Sequence, residues 1–134
     1  MNSPSAPDRD VVLVVDDSPE TLRLLTDALE EAGMTVLVAV PADQALARLG
    51  SVSPDIVLMD AIMPEVDGFE ACRRIRANAA TRDIPVIFMT GLGGTEDIVR
   101  GFESGGVDYV TKPIVPDEII ARIRVHLGNA RAAV

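Results

Sequence analysis

Positive charge is in short supply in this chain: 12 Lys and Arg stand against 21 Asp and Glu, a formal net charge of -9. Nucleic-acid binding needs a basic face to neutralise phosphates, and no stretch offers one. Aromatic residues are almost as scarce, three Phe, one Tyr and no Trp. The core must therefore be aliphatic, and a flavin would find little to stack on. A single Cys excludes an internal disulfide. Cys72 falls with Phe69 and Ile75 at helical spacing and reads as a small core residue in a reducing compartment. No apolar run approaches the roughly 18 residues of a membrane span. Residues 1–10 lack both the basic start and the apolar centre of a signal peptide. A cytoplasmic protein is expected, with neither membrane nor direct nucleic-acid contact.

What the chain does have is 134 residues with 48% hydrophobic content, enough for one domain with a real core. Residues 1–10, with Pro4 and Pro7, have nothing to bury and read as a disordered tail. Val11 to Val15 is a β-branched run ending in Asp16-Asp17, after which Ser18-Pro19 opens a helix with Ser as cap and Pro in its first turn. Leu22, Leu25, Leu29 and Ala32 form its buried stripe, and Gly33 stops it. A second strand over 35–40 and a short helix over 43–49 follow, with Ala45, Leu46 and Leu49 inward. The central run Ile56-Val57-Leu58-Met59-Asp60 is apolar throughout and ends in a carboxylate, as expected of a strand buried on both faces.

Beyond it, 63–68 reads as a loop and Asp67 as the cap of a helix burying Phe69, Cys72 and Ile75. Pro85 to Met89 is a fourth strand ending at Thr90, and the glycines at 91, 93 and 94 loosen the loop before a helix over 95–104. Residues 107–111 form a fifth strand, and Lys112-Pro113 leads to a last helix from about Pro116, with Ile119, Ile120, Ile123 and Leu127 inward. Strand–helix alternation repeated five times predicts an α/β fold, a flavodoxin-like doubly wound (βα)5 three-layer sandwich. Its five-stranded parallel sheet should have the order 2-1-3-4-5. The domain spans 11–128, and 129–134 is a helical extension or the start of a linker.

That strand order gathers Asp16-Asp17, Asp60, Thr90 and Lys112 at one sheet edge. Three clustered carboxylates raise each other's pKa values unless a cation shares the site. Oxygen donors with no His or Cys nearby select Mg²⁺ or Mn²⁺. Lys112 and Thr90 suit the equatorial oxygens of a transferring phosphoryl group. Together the groups are equipped to form an acyl phosphate on Asp60, the carboxylate of the central strand. Taken singly, each residue has a plainer role: Asp16 or Asp17 as a helix cap, Asp60 as a turn residue, Thr90 as a strand end, Lys112 as a solvated charge.

These residues resemble the receiver domain of two-component response regulators, of the chemotaxis-regulator-like kind. The motifs are Val15-Asp16-Asp17, Leu58-Met59-Asp60 with Pro64 and Asp67-Gly68, Met89-Thr90-Gly91, and Asp108-Tyr109-Val110-Thr111-Lys112-Pro113, spread over 11–127. The resemblance implies that Asp60 accepts a phosphoryl group from the phosphohistidine of a sensor kinase or histidine phosphotransfer protein. It implies Mg²⁺ on Asp16, Asp17, Asp60 and the backbone carbonyl of Ile62, and phosphoryl contacts from Thr90 and Lys112. Tyr109 resembles the rotameric switch that turns inward with Thr90. That motion alters the face of the fourth helix, fifth strand and fifth helix, and so controls a partner, dimerisation or an attached output domain. Lys112-Pro113 resembles the family's cis peptide. Such a domain is a signalling switch that catalyses its own phosphorylation and dephosphorylation rather than a turnover enzyme.

Ile62 and Leu92 are apolar where many relatives carry a polar side chain that orients water, which implies slow self-dephosphorylation. Val115 replaces a common helix-capping Asp and Ile114 a frequent Phe, so the last helix relies on Pro116, Asp117 and Glu118 at its start. His126 lies far from the strand ends and reads as a solvated or partly buried helix residue. Arg122, Arg124 and Arg131 form a solvated face that also suits symmetric pairing with Glu96, Asp97 and Asp108 in a homodimer. A phosphatase of the haloacid dehalogenase type would need Asp-x-Asp on the first strand, where this chain has Asp16-Asp17-Ser18. A receiver-like interaction module that is never phosphorylated is the remaining alternative.

Overall fold

The computed structural model describes residues 10–39, 47, 49, 51–63, 66–91 and 94–132. Five strands form one parallel sheet: β1 Val11–Val15, β2 Thr35–Ala39, β3 Ile56–Asp60, β4 Val86–Thr90 and β5 Asp108–Thr111. Their spatial order is β2-β1-β3-β4-β5, the expected 2-1-3-4-5. Among the described residues, four whole helices pack around the sheet: α1 Pro19–Glu31, α2 Gly68–Ala77, α3 Thr95–Glu103 and α4 Pro116–Ala132. Between β2 and β3, residues 47, 49 and 51 are helical, and Leu49 is buried as expected. The rest of that helix, residue 40, the tail over 1–9, Pro64, Leu92 and Gly93 lie outside the described residues.

Side chains alternate across a strand, and here the alternation sorts the core into two layers. Val12, Val14, Ile56, Leu58, Ile87 and Met89 face Leu25 and Leu29 of α1 and Ile119, Ile123 and Leu127 of α4. Leu13, Val15, Val57, Met59, Val86 and Phe88 face Phe69, Cys72 and Ile75 of α2. Strands β3 and β4 are buried at every position. Each fully buried Leu, Ile or Met there contributes roughly 1.5–3 kcal/mol, so the two central strands are the least able to shift. A carboxylate at the end of β3 is held by the stiffest part of the molecule.

Two local features differ from expectation. Part of the stretch expected to be a loop is paired, with Ile62–Met63 antiparallel to Val66–Asp67. Asp10, assigned to the tail, has its carbonyl accepting the Thr35 N–H at 2.8 Å, and its carboxylate pairs with Arg131. Helix α4 continues to Ala132, as a helical extension would, and Arg131 in its last turn is tied back to the start of the sheet. The expected caps are present: Ser18 accepts from Thr21 N–H, and Asp67 accepts from Phe69 N–H at 2.9 Å. Among the described residues, no helix is long and apolar enough to cross a membrane.

Candidate functional site

The parallel register sets Val15 of β1 beside Met59 of β3, and Asp60 beside Met89 of β4. Residues one step beyond these pairs therefore emerge together at the carboxyl edge, where such sheets hold ligands. Asp16, Asp17 and Asp60 each place an oxygen there, all within 4.8 Å of one another. Asp16 and Asp60 are buried and Asp17 is exposed. Two like charges at that separation repel by roughly 3–4 kcal/mol at an effective dielectric near 20.

Lys112 reaches into this cluster from the end of β5. Its N–H donates to the Thr90 carbonyl at 2.8 Å, and the Lys112–Pro113 bond is cis. The ammonium lies 2.9 Å from Asp16 Oδ2 and donates to Asp60 Oδ2 at 3.2 Å. Burial would lower the Lys112 pKa, but the Asp16 and Asp60 carboxylates outweigh it and hold the ammonium above its ordinary value. Burial raises the Asp60 carboxyl and the Asp16 charge raises it further, against the Ile62 N–H and Lys112. One ammonium against three carboxylates leaves two negative charges uncompensated.

The remaining oxygens are unequally served. Asp60 Oδ1 accepts from Ile62 N–H at 3.1 Å, and Asp16 Oδ1 from Ser18 N–H at 2.8 Å. Asp16 Oδ2 is fully buried and, among the described residues, accepts no well-directed hydrogen bond, with the Lys112 ammonium beside it. A buried, under-bonded carboxylate oxygen in an all-oxygen cluster is suited to a small hard cation. The donor set fits Mg²⁺ or Mn²⁺.

One glycine lets the wall close on the site. Gly68 N–H donates to the Ala61 carbonyl at 2.9 Å. A Cβ at Gly68 would lie 2.3 Å from the Asp60 carbonyl oxygen, so only glycine lets the start of α2 sit against the backbone that carries Asp60. On the far side, Thr90 is buried at the end of β4 and its side chain is hydrogen-bonded to the Tyr109 hydroxyl. The half-buried Tyr109 ring lies 6.4 Å from that of Phe88. Helix α3 is latched to the site's rim by Arg100. Its guanidinium contacts Asp67 Oδ2 at 3.0 Å and stands 4.5 Å above the Phe69 ring.

The expected site residues gather at one edge: Asp16, Asp17 and Asp60 with oxygens within 4.8 Å of one another, Lys112 against Asp16 and Asp60, Ile62 immediately outside, and Thr90 with Tyr109 behind. Ile62 is half exposed. One cluster escaped the sequence reading. Asp108 accepts from Arg122 through both oxygens at 3.1 and 3.0 Å, lies 2.9 Å from His126 Nε2, and accepts from Tyr109 N–H. Arg122 also pairs with Glu118 one turn back. The signal available was Glu118, Arg122 and His126 at i, i+4 and i+8 on one helical face. Of the three arginines read as a solvated face that also suits symmetric pairing, Arg122 and Arg131 are engaged within their own chain.

Comparison with known proteins agrees with this geometry. Residues 12–124 match the response regulator receiver domain family. The chain is 40% identical over 116 residues to the DNA-binding dual master transcriptional regulator RpaA of Synechocystis sp., covering 87% of this chain and 48% of that protein. It is 42% identical over 113 residues to the response regulator PleD of Caulobacter vibrioides, covering 84% of this chain and 25% of that protein. The chain therefore spans about half the length, or less, of these curated relatives. Among solved structures, the receiver domain of Francisella response regulator 1452 superposes with a TM-score of 0.83 at 30% identity, over 90% of this chain and 98% of that one. The chain belongs to the response regulator receiver domain family, the phosphoacceptor signalling module of two-component systems.

Proposed function

We propose that Asp60 is the phosphoacceptor and that this domain takes its phosphoryl group from a phosphohistidine on a sensor histidine kinase or histidine phosphotransfer protein. The supporting observation is the convergence of three carboxylates and one ammonium at the end of the most buried strand. An Asp60 oxygen attacks phosphorus as the donor's P–N bond breaks, and the electron pair stays on the imidazole, which takes up a proton. Asp16, Asp17, Asp60 and the Ile62 carbonyl would hold Mg²⁺, which when bound shields the carboxylates and the phosphoryl oxygens from one another. Lys112 then moves its charge toward a phosphoryl oxygen, and Thr90 donates its hydroxyl to another. Hydrolysis of the acyl phosphate at the same site resets the switch.

The phosphoryl group adds charge and acceptor oxygens at the sheet edge, so Thr90 gains a partner in only one arrangement of its loop. Tyr109, bonded to Thr90, carries that choice to the face made by α3, β5 and α4. Val99, Phe102 and Val107 are exposed there, and this face would engage a partner, a second copy or an attached output domain in the cytoplasm. A homodimer through it needs contacts other than Arg122, unless the Asp108 pairing is exchanged between copies. The test is to incubate the chain with Mg²⁺ and phosphoramidate, reduce it with borohydride and map the product. Conversion at Asp60 supports the reading; conversion at Asp16 or Asp17 instead refutes it.

A further inference from the structure

Gly101 sits inside α3, where a glycine is less favourable than alanine. The conformation of its backbone does not require glycine; the surroundings do. A Cβ at this position would lie 2.9 and 3.3 Å from Tyr109 Cδ2 and Cε2, and 3.2 Å from Phe88 Cδ2. The Tyr109 ring thus rests directly on the helix backbone, and Gly101 is buried beneath it. Phe88 cannot retreat, because it is fully buried and lies 5.1 Å from the Phe69 ring. With the ring in this seat, its hydroxyl reaches Thr90. On the other side of the same turn, Arg100 ties α3 to Asp67 and Phe69.

We propose that Gly101 is a positioning residue for the switch: the missing side chain is the seat that lets Tyr109 lie inward and hold Thr90, and any Cβ there drives the ring outward. This rests on the reading of Tyr109 as the switch residue, and extends it to the element that sets its balance. Burial, and then the Asp97 charge, raise the Tyr109 phenol above its ordinary pKa. The outward ring, at the open edge of β5, would return toward it. Bulk at position 101 therefore sets how much of the inward form exists before any phosphorylation.

The chain supplies its own probe, since Tyr109 is the single tyrosine and there is no tryptophan. Acrylamide quenching of tyrosine fluorescence and the spectrophotometric titration of the phenol report this ring alone. Gly101→Ala is expected to increase the quenching and to move the phenol titration down toward about 10, with the far-ultraviolet circular dichroism of the parent retained. In Gly101→Ala with Phe88→Leu, the room made beside the ring lets it return, and quenching falls back toward the parent. If Gly101→Ala alone does not fold, the paired variant is compared with Phe88→Leu, and a ring equally shielded in both is the expected result. Parental quenching and titration in a folded Gly101→Ala would overturn the proposal, as would a paired variant no better shielded than Gly101→Ala. Quenching of the parent before and after phosphorylation tests the switch reading separately, because a ring that ignores the phosphoryl group refutes that reading whatever happens at position 101.

Discussion

Replacing Gly68 by alanine tests how closely the phosphoacceptor strand and the following helix must pack. The new Cβ would stand 2.3 Å from the Asp60 carbonyl oxygen and 2.9 Å from both Cα and the carbonyl oxygen of Ala61. All three are backbone atoms, so no side-chain rotation relieves the clash. Separating them forces a local backbone shift, which in a packed core costs about 1–3 kcal/mol. The same shift breaks the 2.9 Å bond from Gly68 N–H to Ala61, a further loss of about 1 kcal/mol. Improved helix propensity returns less than about 1 kcal/mol. The net loss is about 2–3 kcal/mol, or a fall in Tm of roughly 6–12 °C for a domain of this size. Phosphorylation should suffer too, because Ala61 and Ile62 set the N–H that orients Asp60 Oδ1. Gly128→Ala on the exposed face of α4, where a Cβ meets nothing within 4 Å, is the matched control and should raise Tm slightly. A Gly68→Ala protein as stable as its parent by calorimetry would refute the packing argument.

Three further outcomes follow from the site and its surroundings. Lys112→Met leaves the buried Asp16 and Asp60 charges unopposed, a loss of about 3 kcal/mol at the lower end of the range for breaking a buried pair; Mg²⁺ should then raise Tm more in the variant than in the parent, and equal gains would contradict the charge balance described. At Asp108, burial opposes ionisation, but hydrogen bonds from His126, Tyr109 N–H and Arg122 outweigh it and lower the carboxyl's pKa. A depressed carboxylate contributes stability that is present above its unfolded value near 3.9 and is lost as pH falls through its folded pKa, so Asp108→Asn should be destabilised at pH 7 and converge with the parent in strong acid; urea midpoints across pH decide it. Ile62→Asn should shorten the phosphoryl half-life on the order of tenfold, below the roughly 10²–10⁴-fold of full general-base assistance; a parent lifetime of only seconds, without a partner protein, would remove the basis for that expectation.

Much of this molecule is legible in its sequence because its strands are buried on both faces. Val11–Val15 and Ile56–Asp60 need no partner to be recognised, and a charge at the end of such a run marks the carboxyl edge. Alternation of strands and helices then limits the topology, and the topology alone brings Asp16, Asp60, Thr90 and Lys112 together. Contacts that depend on three-dimensional approach were not legible. A glycine in the sequence is ambiguous between a cap, a hinge and a close approach, and only coordinates distinguish Gly68 and Gly101 as seats for backbone and ring. The pairing of Asp108 with Arg122 and His126 joins a strand to a helix across 14 and 18 residues, and periodicity within either element does not reveal the other. The antiparallel pairing of Ile62–Met63 with Val66–Asp67 is too short for alternation to register.

The most direct test of the central claim is intact mass after incubation with Mg²⁺ and a small acyl phosphate, for the parent and for Asp60→Asn. One added phosphoryl group on the parent and none on the variant is the predicted result. No gain on the rapidly trapped parent, or an equal gain on both proteins, would contradict Asp60 as the phosphoacceptor.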